Sequence, residues 1–186
     1  MPGLTVGDNT NGLLLVAISY RGPAGITIDP AGVPTFNNLP LTLVPNSLSK
    51  IDGKRYTEYW YLVNPPKTTA NIVVKLSVDA KEIIGTALNY EQVNQTTPFQ
   101  GSTAFTASGT TNCGNACTSA FSEIYVNPTG TNQLVVGTIT AQTPEPNFRT
   151  KIATLRANQT ENGNLNSQTA ELLATATPVN LRWRYN

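Results

Sequence analysis

Histidine is absent from this 186-residue chain, cysteine occurs twice and methionine once. Without imidazole there is no Ser-His or Cys-His nucleophile pair, no imidazole metal site and no ordinary general base near neutral pH. Most familiar hydrolase designs are excluded with it. Charge is scarce too: Asp, Glu, Lys and Arg make up 12% of the residues, about half the usual share. With a net charge of +1 and no Lys/Arg cluster, the chain cannot supply the phosphate-neutralising surface that nucleic acid binding requires. Long apolar runs are missing as well. The longest, Leu13 to Ile18, is far shorter than a signal-peptide core with its cleavage site or a membrane span, and Met1 to Asp8 carries no basic region. The expectation is a chain that neither crosses a bilayer nor is exported by its own signal. It is then either a mature form with its signal removed or a protein made and assembled in a cytoplasm, which suits a virion component released by lysis.

Thr (27) and Asn (20) fill the place of the missing charges, while apolar residues stand at 39%. One domain spanning 1–186 is expected, because a chain of this length buries roughly 70% of its unfolded surface and needs neither a disulfide framework nor a metal to fold. Strand signals recur at short intervals between turn residues, and no window shows a long 3.6-residue apolar period. Gly12 to Tyr20, Leu41 to Val44 and Lys54 to Val63 read as strands, the last stopped by Asn64-Pro65-Pro66. Asn71 to Val78 and Ile83 to Tyr90 read as a hairpin pair, followed by a long polar loop from Glu91 to Ser119. Ala120 to Val126, Gln133 to Thr140, Phe148 to Ala157, Thr169 to Ala174 and Asn180 to Tyr185 complete the series. The pattern predicts an all-β fold of about nine to eleven short strands, an antiparallel β-sandwich or jelly roll.

Two strands depart from simple alternation. Leu13 to Ile18 is apolar on both faces, and around Trp60 the strand carries Tyr59 and Tyr61 on one side with Trp60 and Leu62 on the other. Either a loop covers the second face, or a neighbouring subunit does, where Tyr and Trp are enriched. In the last strand Leu181, Trp183 and Tyr185 alternate with Arg182 and Arg184. The two guanidinium groups form either a solvated face or an anchor onto a carboxylate-bearing partner.

No catalytic motif emerges, and the eleven carboxylates are scattered. A glycosidase needs two of them facing each other across a cleft, and nothing in the spacing of Asp29, Asp52, Glu58 and Glu91 promotes such a meeting. Glu58 beside Trp60 admits a sugar-binding reading, with a ring stacked on indole and Tyr59 or Tyr61 extending the platform. No phosphate-binding loop, dinucleotide fingerprint or calcium loop is present, so no cofactor is expected. Cys113 and Cys117 lie in a polar, Gly-containing loop. They are compatible with a small-loop disulfide or with two free thiols, whereas zinc would need four ligands that two Cys without His cannot provide.

The segments Gly12-Leu13-Leu14-Leu15-Val16-Ala17-Ile18-Ser19, Glu58-Tyr59-Trp60-Tyr61-Leu62-Val63-Asn64-Pro65 and Asn71-Ile72-Val73-Val74-Lys75-Leu76-Ser77 carry a resemblance. So do Val93 to Phe99, Asn132 to Gly137 and Leu181-Arg182-Trp183-Arg184. Together they resemble a β-sandwich domain that recurs in uncharacterised phage-encoded virion proteins and bacterial surface proteins, over nearly the whole chain. The resemblance implies a displayed module rather than an enzyme: a capsid decoration or cement protein, a tail or fibre domain, or an adhesin-like surface domain. The expected partner is the major capsid protein or another virion protein, with further copies of the chain in the assembled particle and neither nucleic acid nor membrane. The expected location is the virion, assembled in the host cytoplasm; the alternative is a carbohydrate-binding or adhesin-like module at the cell surface. The residues expected to touch a partner or glycan are Tyr59, Trp60, Tyr61, Arg182 and Arg184.

Overall fold

The computed structural model describes residues 1–51, 53–101, 120–126, 128, 133–141, 153–161, 165–174 and 179–185. The chain divides into two compact units, Met1–Ala104 and Phe105–Asn186. The sequence marked no boundary between them.

The protein is all-β, and among the described residues every strand pairing is antiparallel. In the first unit the strands are β1 (Leu4–Thr5), β2 (Leu13–Arg21), β3 (Thr35–Phe36), β4 (Leu39–Pro40), β5 (Thr42–Leu43), β6 (Ser49–Ile51), β7 (Arg55–Val63), β8 (Thr69–Ala70), β9 (Ile72–Val73) and β10 (Glu82–Tyr90). The second holds β11 (Ala120–Val126), β12 (Leu134–Ala141), β13 (Thr154–Glu161), β14 (Leu165–Leu173) and β15 (Val179–Tyr185). This exceeds the nine to eleven strands expected because seven of the elements are only two or three residues long, below what periodicity can register. No helix among the described residues is long and apolar enough to cross a membrane.

The main sheet of the first unit has the order β10-β2-β7-β5, with β6 also on the outer edge of β7. β2 lies between two long neighbours, and Leu13 through Tyr20 are all buried within the chain. Its doubly apolar sequence therefore needs no neighbouring subunit to account for it. On one face Leu14, Val16, Ile18, Tyr20, Tyr56 and Trp60 pack against Val6, Ile26, Ile28, Phe36, Leu41 and Ile72, which come from the short strands and connections. That gives the unit a sandwich-like layering of a large sheet on a thinner, broken layer.

The thinner layer is built from tight local devices. β3 and β4 form a hairpin whose central residues Asn37 and Asn38 both have positive φ, 49° and 62°. That is the geometry of the two-residue turn whose twist matches the flanking strands. β1 pairs with β8, and the amine of Met1 donates to Ile72 O at 2.9 Å.

The hairpin expected between Asn71–Val78 and Ile83–Tyr90 does not form. β10 pairs with β2 through nine residues, and the 71–78 segment is shared between two other partners. Ile72 and Val73 join β3, while Asp29 N donates to Lys75 O and Ser77 N to Thr27 O. The alternation along 71–78 is a sound strand signal, but the pairing is decided by burial against distant segments rather than by the nearest turn.

In the second unit β14 is the middle strand of the order β12-β14-β13, and β11 pairs with β15. Leu165 through Glu171 are buried on both faces although four of them are Asn166, Ser167, Gln168 and Thr169. Hydroxyls pair across the sheet, Thr138 with Thr169 at 2.8 Å and Thr140 with Ser167 at 3.5 Å. A bulge in β13 between Leu155 and Ala157 lets Arg156 bond Glu171.

Candidate functional site

β7 turns Tyr56, Glu58 and Trp60 inward and Thr57, Tyr59 and Tyr61 to the other face, as strand alternation requires. Trp60 is 7% exposed and belongs to the core of the first unit, so its indole offers no open face for stacking a sugar. The Tyr59 amide donates to Ser47 Oγ at 3.1 Å and its carbonyl accepts from Val44 N at 2.8 Å. Tyr61 meets Phe99 edge to face, with ring centroids 4.9 Å apart. The three aromatic residues thus lie on opposite faces and do not form one platform.

Arg182 and Arg184 sit in β15, in register with Glu123 and Phe121 of β11; their side chains lie outside the described residues. Cys113 and Cys117 lie outside the described residues altogether.

Several carboxylates are tied into structure. Glu58, 5% exposed, accepts from the Tyr20 hydroxyl at 2.8 Å, and Tyr20 stacks on Tyr56 with centroids 5.1 Å apart. Burial raises the Glu58 pKa above the ordinary carboxylate value, against the opposing pull of the Tyr20 hydrogen bond. The Trp60 N–H lowers it as well while falling short of hydrogen-bond geometry. Burial first, then the charge and hydrogen bond of Glu58, push the Tyr20 phenol up, so it remains a donor. Both carboxylate oxygens of Glu82 accept from Arg21 Nη1, at 3.2 and 3.1 Å, directly across the β2–β10 pair. Asp8 bonds Lys67, and Asp29 accepts from Ala31 N at 2.9 Å to close its turn. Of the four carboxylates singled out in the sequence, Asp29 and Glu58 are committed in this way, Glu91 lies exposed after β10, and Asp52 is outside the described residues. Among the described residues, no group of three or more Cys, Asp or Glu gathers to hold a metal.

What the first unit does present is an uncharged apolar strap over residues 39–48. Its sequence is Leu-Pro-Leu-Thr-Leu-Val-Pro-Asn-Ser-Leu. Leu41, Val44 and Ser47 point in and are buried, while Leu39, Leu43 and Leu48 are exposed at 42%, 40% and 47%. The inward residues recur every third position, because the chain crosses the edge of β7 in short steps, β5 and then the Ser47 anchor. Leu39, Leu43 and Leu48 were not singled out by sequence reasoning. A charge-free run of ten residues holding four leucines and two prolines was the signal available.

No protein-family model, curated protein or solved structure matches the chain.

Proposed function

We propose that the chain is a non-enzymatic structural protein of a virus particle, a capsid decoration or cement protein that packs on the shell and stabilises it. The observation that carries this reading is the strap, where three leucines stand in solvent on a segment without a single charge. They are three of ten large hydrophobic residues exposed at 40% or more among the described residues, and they share one uncharged ten-residue segment. Exposed apolar surface of this kind serves as a contact site for other proteins. Burying their remaining area contributes on the order of 25 cal/mol per Å² before the cost of association. The low charge of the chain supports the same reading, since many copies crowded on a shell would repel if each carried a large net charge. The partner is then the major capsid protein or another virion protein, and the location is the virion, assembled in the host cytoplasm.

The burial of Trp60 weighs against the carbohydrate-binding alternative at one of its three stacking residues, Trp60, Tyr59 and Tyr61. Mass spectrometry of purified particles tests the proposal. The chain is expected among the structural proteins, in multiple copies per particle, and its absence would overturn the reading.

A further inference from the structure

Met1 is the single methionine of the chain, and it touches both layers of the first unit at once. Its amine donates to Ile72 O at 2.9 Å and its carbonyl accepts from Ile72 N at 3.0 Å, so the two residues exchange both backbone bonds at the start of β9. The grip continues along the residues that follow. Gly3, with φ 64°, donates its N–H to Asn71 Oδ1 at 3.0 Å, β1 pairs with β8, and Val6 N donates to Thr68 O at 2.9 Å.

The Met1 side chain leaves that layer and lies over β10 of the main sheet. A Cβ at position 85 would stand 2.7 Å from Met1 Sδ, 2.8 Å from Cε and 3.1 Å from Cγ. Those separations are shorter than van der Waals contact, so the thioether fills the space that a side chain at Gly85 would take. Met1 also packs against the core cluster that contains Ile72 and Ile18, the latter directly opposite Gly85 in β2. It is half-buried there rather than sealed. Beside it opens a cavity of about 570 Å³, lined by Val73, Val74 and Ile83, with Asn71 the one polar side chain among the described residues of its wall.

We propose that Met1 is a reversible oxidation site, its thioether a peroxide-sensitive clasp that holds the 1–6 segment and the thinner layer to the edge of the main sheet. In the reaction Met1 Sδ attacks one oxygen of a hydroperoxide. The O–O bond breaks as the S–O bond forms, sulfur supplies the electron pair, and the second oxygen leaves as water or an alcohol, taking the proton with it. The new sulfoxide oxygen needs hydrogen-bond donors. The contact with Gly85 leaves no room for it on that side, and toward the cavity it meets aliphatic side chains and Asn71, whose Oδ1 already accepts from Gly3. An acceptor buried without donors is costly, so oxidation turns the side chain out to water. The 1–6 segment then loses its hold on β10, and a short, exposed pairing of this kind opens locally without the rest of the fold.

The folded full chain is treated with hydrogen peroxide, Met1 is followed by peptide mass and the amides by hydrogen exchange; intact mass first shows that Met1 is on the chain. One added oxygen is expected on Met1, with exchange of the Val6 and Ile72 amides at least about tenfold faster and the middle of β2 and β7 unchanged. Methionine sulfoxide reductases should reverse both effects. A chain carrying norleucine in place of methionine keeps the apolar clasp without the sulfur, and its exchange should not respond to peroxide although Cys113 and Cys117 are still present. Gly85→Ala displaces the thioether without altering Met1, so it should speed the same two amides before any oxidation and leave peroxide little to add. A Met1 that resists peroxide in the folded chain, a sulfoxide that leaves the two amides unchanged, an equal response of the norleucine chain, a Gly85→Ala variant that exchanges like the parent, or a natural chain without Met1 would each overturn the inference.

Discussion

Inside the core of the first unit the Tyr20 hydroxyl donates to Glu58 Oε1 at 2.8 Å, from the strand next to the one that carries the carboxylate. A buried acid satisfied by a neighbouring phenol is a matter of stability, and its two halves can be tested separately. Tyr20→Phe strips the donor and leaves the carboxylate buried without it, at an expected cost of about 1–3 kcal/mol. Chemical denaturation of the variant and the parent measures it.

The pH dependence of Glu58 has a definite sign. Burial raises its pKa in the folded chain, so its contribution to stability is fully present below the ordinary carboxylate pKa and is lost as pH rises through the native value. Glu58→Gln keeps an oxygen for Tyr20 and removes the titration. The stability difference between Glu58→Gln and the parent should be greatest near neutrality and shrink on acidification. A difference independent of pH contradicts the account.

Trp60→Ala should cost about 3–5 kcal/mol, the usual range for emptying a buried indole site, because Trp60 lies in the core. Tyr59→Ala, at a half-buried position on the other face, should cost clearly less. Thermal or denaturant melts of the two variants decide this. A mild Trp60→Ala would mean that the indole stands free, as the carbohydrate reading required.

Gly12 is held by packing rather than by backbone strain. A Cβ there would stand 2.9 Å from Asn9 Cβ and 3.3 Å from Pro65 Cδ, whereas at Gly7 nothing lies within 4 Å. Gly12→Ala is therefore expected to destabilise by roughly 1–3 kcal/mol, while Gly7→Ala should change stability by no more than about 0.5 kcal/mol. Denaturant melts of the two variants beside the parent measure the contrast.

The long strands were legible because their side chains follow their burial. Leu13–Arg21, Arg55–Val63 and Ala120–Val126 stand at or within a residue of the segments read from apolar and aromatic content. β14 was legible only from Thr169 onward, since Asn166, Ser167 and Gln168 interrupt the apolar pattern that marks a strand. Tertiary burial and the hydroxyl pairs across the sheet hold those residues in a central strand against their local preference. The β3–β4 hairpin escaped notice because its turn is Asn37-Asn38, without the glycine that marks such turns most strongly. At the candidate site the aromatic run drew attention through its residue types, yet alternation sends Trp60 into the core. Of the exposed leucines of the strap, Leu43 lies inside the segment Leu41 to Val44 that reads as a strand, and Leu39 and Leu48 lie beyond it; residue type alone did not mark which of them would face solvent.

The central claim, that the strap docks this chain onto a capsid shell, is tested most directly by occupancy. Particles lacking the protein are incubated with excess wild-type chain or with the Leu43→Glu, Leu48→Glu double variant, and bound copies per particle are counted by quantitative mass spectrometry. Both substituted positions are exposed, so the variant should fold as the parent does. The account predicts saturable binding of the wild type and at least a tenfold loss of affinity for the variant, about 1.4 kcal/mol. Equal binding of the two, or no binding of either, would contradict it.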